Sequence, residues 1–235
     1  MPEFVIPPPA RVTVPVAQQA GVFPVRRIYC VGRNYAAHAR EMGNDAREAP
    51  FFFQKPADAI VPDGSTIPWP RATANLHHEV ELVLAIGRGG ADIEAGEARA
   101  HVYGLAVGID LTRRDLQNAL KDAGRPWEAA KAFDASAPIG AIRALGDAPL
   151  PRAGRIHLSV DGKPRQEGDI ADMIWSAEEV VSQLSRLFRL EPGDLIYTGT
   201  PAGVGPLQPG NRVLAGIDGL DSVSITIGID NHSHS

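Results

Sequence analysis

The chain has 235 residues and a formal net charge of −5, with 44% hydrophobic and 22% charged residues. This is the balance of a folded globular protein with no long basic run, which argues against nucleic acid or an anionic membrane surface as a partner. A single cysteine, Cys30, excludes an internal disulfide and any thiolate-cluster zinc site.

In chain order, residues 1–25 read as an N-terminal arm carrying a short strand, VTVPV. The opening MPEFVIPPPARVTVPV has neither a basic n-region nor an apolar h-region. No segment reaches the ~18 apolar residues of a membrane span. A cytoplasmic location is the expectation. The 24 glycines and 20 prolines are spread along the chain, predicting many short strands rather than a helical bundle. RIYCVG is a predicted strand, with Cys30 as a small buried hydrophobe. RNYAAHAREMG has helical composition, and His38 and Glu41 lie at i, i+3 on one helix face. A carboxylate there can polarise the imidazole for general-base work near neutral pH. Its polar, alanine-rich surroundings predict a mobile, lid-like segment; the alternative is an incidental ion pair on a solvated helix. FFFQKPADAIVPDGSTIPWP reads as short extended pieces between turns.

HHEVELVLAI alternates. In a strand His78, Val80, Leu82, Leu84 and Ile86 face one way, and His77, Glu79, Glu81, Val83 and Ala85 the other. Two carboxylates then sit about 6–7 Å apart at the backbone and repel by roughly 2–3 kcal/mol at an effective dielectric of ~20. A solvated edge strand would tolerate them, and a cation between them would use them. The adjacent histidines point to opposite faces, so they are expected to support the site or the core rather than bind one ion together.

ADIEAGEARAHVYG predicts a short helix and YGLAVGID a strand. Gly104, Ala106, Gly108 and Asp110 share a face of that strand, three very small groups beside an acid, which suits a cavity or a close backbone approach. Asp110 stands where strand gives way to helix, so it is either a functional acid or a partner of the helix dipole. LTRRDLQNALKDAG is a predicted helix with Thr112 and Asp115 in capping-box spacing. Arg114 and Gln117 lie one turn apart on it. Lys131, flanked by alanines and Phe133, either snorkels or is directed at an anion. RIHLSV-DG-K predicts a hairpin. SAEEVVSQLSRLF is the clearest helix, with Ser176 and Glu179 as its capping box and Val180, Val181, Leu184, Leu187 and Phe188 as its apolar stripe. DLIYTGTPAGVG is a strand entering a glycine-rich turn whose amides can cradle a carboxylate but which lacks a P-loop ending. RVLAG and SVSITIGI complete a β-rich α+β domain with a few helices outside. Glu79, Glu81 and Asp110 form an all-oxygen set suited to Mg2+ first, then Mn2+ or Ca2+.

RRIYCVGRNYAAHAREMG, KPADAIV, NLHHEVELVLAIG, GIDLTRRDLQ, GRPWEAAKAFD, IADMIWS and GDLIYTGTPAGVGPLQPG, in this order, resemble the fumarylacetoacetate hydrolase family. Within it the chain is most similar to the small acylpyruvate hydrolases, fumarylpyruvate-cleaving members in particular. The resemblance implies a mixed β-sandwich roll over residues 26–229 and a homodimer using Mg2+ or Mn2+; the polar ending at 230–235 is expected to be disordered. It implies Glu79, Glu81 and Asp110 as metal ligands and His38, Glu41 and Lys131 as catalytic residues. Arg114, Gln117 and Thr200 are implied at the substrate. The implied activity is hydrolysis of a C–C bond in a β-diketo acid. Decarboxylation of oxaloacetate, or isomerisation or hydration of unsaturated keto acids, is the family's alternative.

Overall fold

The fold was obtained as a computed structural model and is described for residues 4–35 and 48–228. His38, Glu41 and the NHSHS ending lie outside these residues. The expected β-rich architecture is present, with two main sheets packed as a sandwich. An eight-stranded sheet runs in the order Phe51–Lys55, Arg27–Gly32, Asp194–Tyr197, Val80–Ile86, Val102–Ile109, Ala137–Ile139 and Ile60–Pro62, with Arg143–Ala144 also paired to Val102–Ile109. A five-stranded sheet orders Lys163–Asp169, Arg155–Val160, Arg212–Ile217, Val223–Ile227 and Ser65–Ile67. A small third sheet joins Thr112–Arg113, Leu76–His78 and Gly205–Pro206. Three pairings are parallel and join strands distant in sequence: Arg27–Gly32 with Asp194–Tyr197, Ile60–Pro62 with Ala137–Ile139, and Ser65–Ile67 with Val223–Ile227.

The alternation in HHEVELVLAI appears as two cores. Val80, Leu82, Leu84 and Ile86 join the apolar layer between the sheets, with Ile156, Leu158, Val213 and Ile225 opposite. Val83 and Ala85 enter a second cluster on the far face, where the N-terminal arm packs through Val14, Val16 and Phe23, with Cys30 inside. Val80–Ile86 is therefore buried on both faces along its whole length, as a central strand must be. A solvated edge strand is excluded.

Other local predictions resolve individually. Asp161 and Gly162 both have positive φ, +50° and +74°, the requirement of a type I′ turn between Arg155–Val160 and Lys163–Asp169. Ser176 caps helix Ala177–Leu187, with both bonds of the capping box made to Glu179. The apolar stripe of that helix stops at Leu184. Leu187 is 64% exposed because the helix ends there, and the extended Phe188 lays its ring 5.2 Å from that of Tyr29. The segment after Ile93 forms a 3₁₀ helix, Ala95–His101.

Thr112 does not cap. Helix Arg114–Asp122 has no side-chain cap, Thr112 lies in a strand, and Asp115 bonds Thr73 and Ala74 instead. Nor do the small residues of Val102–Ile109 open a cavity. A Cβ on Gly108 would stand 2.4 Å from the Tyr197 ring and 2.6 Å from Val83, and one on Gly104 would stand 2.5 Å from the carbonyl of Arg143. Both glycines admit a neighbour pressed against the strand. Gly108→Ala should overpack this layer and lower unfolding stability by about 1–3 kcal/mol, read as a fall in Tm. An unchanged Tm would show that Tyr197 gives way freely.

Candidate metal centre and substrate cleft

Glu79 stands between strands Leu76–His78 and Val80–Ile86, where the chain leaves the three-stranded sheet for the eight-stranded one. The register pairs Val80 with Ile109 and Glu81 with Gly108, and the amide of Asp110 donates to the carbonyl of Glu79 at 2.8 Å. Two neighbouring strands thus end side by side, and their terminal acids converge. One carboxylate oxygen from each of Glu79, Glu81 and Asp110 lies within 4.8 Å of the others, and all three residues are buried.

Three cations answer them. Lys131, buried at the end of helix Glu128–Lys131, donates to Glu79 Oε2 (2.7 Å), Asp110 Oδ2 (2.5 Å) and Thr112 Oγ1 (2.7 Å). Arg114 bonds Glu79 Oε1, Gln117 Oε1 and His77 Nδ1. Lys55 is fully buried, with its Nζ 2.8 Å from Asp110 Oδ1 and donating to the carbonyls of Leu111 and Lys131. Burial alone would raise the Glu79 carboxyl, but Lys131 and Arg114 outweigh it and bring the pKa down to about 2. Burial pushes Glu81 the other way, well above the usual carboxylate range, and its neighbours Asp110 and Glu79 add to the effect. The amide of Gly199 donates to Glu81 Oε2 at 2.7 Å, and among the described residues no cation pairs with it. For Lys131, burial opposes the charged form, yet Asp110 and Glu79 hold the ammonium above its ordinary value.

The acids fit a divalent ion. The donor set is all oxygen, and one oxygen of each acid lies within 4.8 Å of the others. Glu81 is the acid most in need of positive charge, because among the described residues its one partner is an amide. Hard cations such as Mg2+ and Mn2+ take such sets.

A cleft of about 310 Å3 opens onto the triad, lined by Arg114, Gln117, Lys131, Thr200, Tyr35 and Trp127 among others. All the sequence-predicted site residues within the described range meet here. His77 lines the cleft as a neutral base, its pKa lowered to about 4 by burial and by the charge of Arg114. Its Nδ1 accepts from Arg114, so its Nε2–H donates to Asn75 Oδ1. His78 is a core residue bonded to Gln166. The TGTP turn does cradle a carboxylate, that of Glu81.

Two buried supports carry no signal in the sequence pattern. Lys55 lies in a run that otherwise reads only as short extended pieces between turns. Gln166, alone in the polar KPRQEGD strand, ties His78 and the amide of Val80 to Thr200 Oγ1 and the Pro201 carbonyl. The Thr112 hydroxyl, expected at a helix cap, accepts from Lys131 instead.

Residues 27–228 match the family described as fumarylacetoacetate (FAA) hydrolase, C-terminal. The chain belongs to the fumarylacetoacetate hydrolase family. It is 53% identical to a fumarylpyruvate hydrolase from Pseudomonas aeruginosa solved in complex with Mn2+ and pyruvate. That match has a TM-score of 0.93 and covers 97% of this chain and 100% of the other. It is 43% identical over 202 residues to the mouse protein "Oxaloacetate tautomerase FAHD1, mitochondrial", covering 86% of this chain and 91% of the relative. A fumarylpyruvate hydrolase from Ralstonia sp is 38% identical over 181 residues, 77% of this chain and 94% of that one. No helix among the described residues is long and apolar enough to cross a membrane.

Lys131→Met should leave Glu79 and Asp110 short of a buried counter-charge and cost about 3–5 kcal/mol of stability. Denaturant unfolding in chelator should show the full loss, and excess Mn2+ should recover part of it. A loss unaffected by Mn2+ would separate the lysine from the metal centre.

Proposed function

We propose that this chain is a metal-dependent acylpyruvate hydrolase, with fumarylpyruvate as its substrate and fumarate and pyruvate as products. The observation carrying this is the convergence of Glu79, Glu81 and Asp110 within 4.8 Å beside a cleft that also presents Arg114, Gln117 and Thr200. It is supported by 53% identity to a fumarylpyruvate hydrolase solved with Mn2+ and pyruvate. Homodimeric assembly is proposed on the family resemblance.

A divalent ion held by Glu79, Glu81 and Asp110 would supply Lewis-acid charge to the keto acid. The chain's own groups do the rest. His38, backed by Glu41, takes a proton from water as its oxygen adds to the C4 carbonyl. The C4 oxyanion needs donors already in place. Gln117 is suited, because its Oε1 is occupied by Arg114 and its amide N–H groups remain for the cleft. Lys131 contributes fixed positive charge nearby. Its three N–H donors are already engaged by Glu79, Asp110 and Thr112, so a direct bond to the oxyanion requires it to release one of them. Thr200 accepts from Gln166, which leaves its own O–H to donate to the substrate carboxylate. The C3–C4 bond then breaks. Its electron pair leaves with the pyruvate fragment as the enolate, which a proton at C3 converts to pyruvate.

The 43% identity to an oxaloacetate tautomerase favours a second reading, keto–enol exchange of oxaloacetate, which needs proton transfer at C3 and no attacking water. One assay decides between them: fumarylpyruvate, acetylpyruvate and oxaloacetate compared by ultraviolet absorbance and by pyruvate released, with and without chelator. The expected result is pyruvate from fumarylpyruvate, abolished by chelator and restored by Mn2+ or Mg2+. Enol loss from oxaloacetate, with no pyruvate from either acylpyruvate, would establish the tautomerase instead.

A further inference from the structure

The cleft does not end at the triad. Arg33, Phe53 and Trp127 line both it and a second, outer cleft of about 430 Å3, which adds Phe51 and Arg125. The outer walls are aromatic. Phe51 meets Trp127 edge to face, with ring centroids 5.1 Å apart and planes at 87°, and Phe53 lies 6.2 Å from the same ring. Phe51 reaches this position by crossing its partner strand at Gly32, where a Cβ would stand 2.0 Å from the ring. The next residue, Arg33, holds a left-handed backbone, φ +57°, which disfavours a side chain and is kept only where the surroundings enforce it. Its guanidinium stands 5.8 Å from the Phe51 ring centroid. Among the described residues no carboxylate pairs with it, unlike Arg114, whose charge is committed to Glu79.

We propose that this annexe binds the acyl end of the substrate, with Arg33 pairing with a terminal carboxylate and the aromatic walls holding a flat, conjugated chain. The inference rests on the acylpyruvate reading above and names the acyl class: unsaturated and ending in an acid. Two features divide the work. Aromatic faces favour planar π systems over a flexible saturated chain. A guanidinium with unused donors rewards a carboxylate with a charge-assisted, two-pronged bond that a terminal methyl cannot make. The two ends of the substrate are therefore read separately, the keto acid at the triad and the distal acid at Arg33.

The test compares kcat/KM for fumarylpyruvate and acetylpyruvate in the native enzyme and in Arg33→Met, with Mn2+ present. The ratio of the two should fall about 10- to 100-fold in Arg33→Met, the worth of one charge-assisted hydrogen bond. Arg125→Met, which removes a nearby charge from the outer cleft alone, should change the ratio less than about threefold on the same scale. An unchanged ratio in Arg33→Met, or an equal fall in both variants, would overturn the assignment. Calorimetry with fumarate and crotonate, which share a trans four-carbon skeleton and differ by one carboxylate, tests the annexe without turnover. Fumarate should bind the native protein at least about tenfold more tightly than crotonate, and Arg33→Met should erase the difference. If neither acylpyruvate is cleaved the hydrolase reading falls, and this binding comparison alone decides the annexe. Equal binding of the two acids by the native protein would overturn it.

Discussion

Three carboxylates buried within 4.8 Å of one another set the terms for this molecule. At an effective dielectric of ~20, two unit charges 4 Å apart repel by about 4 kcal/mol, so the cluster survives only with positive charge or donors close by. Lys131, Lys55, Arg114 and the amide of Gly199 provide them. The acids and these partners together come from five separate stretches of chain. The parallel pairing of Arg27–Gly32 with Asp194–Tyr197, and Gly108, which lets Tyr197 press against Val102–Ile109, bring those stretches together. The sandwich is, in this sense, the scaffold for one electrostatic constraint.

The compensation is uneven, and that gives the site its chemistry. Glu79 carries two cations and is held ionised, whereas Glu81 has an amide and is pushed toward its neutral form. Asp110 stands between the two lysines. Such a set has residual affinity for a hard cation even with three basic residues around it. The same arrangement commits Lys131 and Arg114 to structure, so unspent donors in the cleft are found on Gln117 and Thr200. Among the described residues, charges with no carboxylate partner also line the clefts: Lys121 at the inner one, Arg125 at the outer one and Arg33 at both. Charge holding the scaffold and charge offered to a ligand are thus carried by different residues.

Much of this was legible in the amino-acid sequence wherever the information was local. The alternation of His78 to Ile86, the Asp161–Gly162 turn and the Ser176–Glu179 box each depend on residues a few positions apart, and each formed. The three acids were legible because strand ends and a strand-to-helix junction are local features too. What stayed hidden depends on partners far along the chain. Lys55 has no assigned role in its extended run until the carbonyls of Leu111 and Lys131 close over it. Gln166 is a lone amide in a polar strand until His78 and Thr200 arrive. Thr112 has ideal capping spacing, but a buried ammonium makes the stronger claim on its hydroxyl. The small residues of Val102–Ile109 suited either a cavity or a close approach, and only distant partners decide for the approach, by Tyr197 at Gly108 and the Arg143 carbonyl at Gly104. The second apolar face of Val80–Ile86 was invisible because its cover comes from the N-terminal arm.

The central claim is that Glu79, Glu81 and Asp110 act together on one ion. Electron paramagnetic resonance of free Mn2+ during titration measures this directly. The account predicts one tight site per chain, with Glu81→Gln and Asp110→Asn each weakening it at least about tenfold while the fold, followed by circular dichroism, is kept. Undiminished Mn2+ binding in both variants would contradict it.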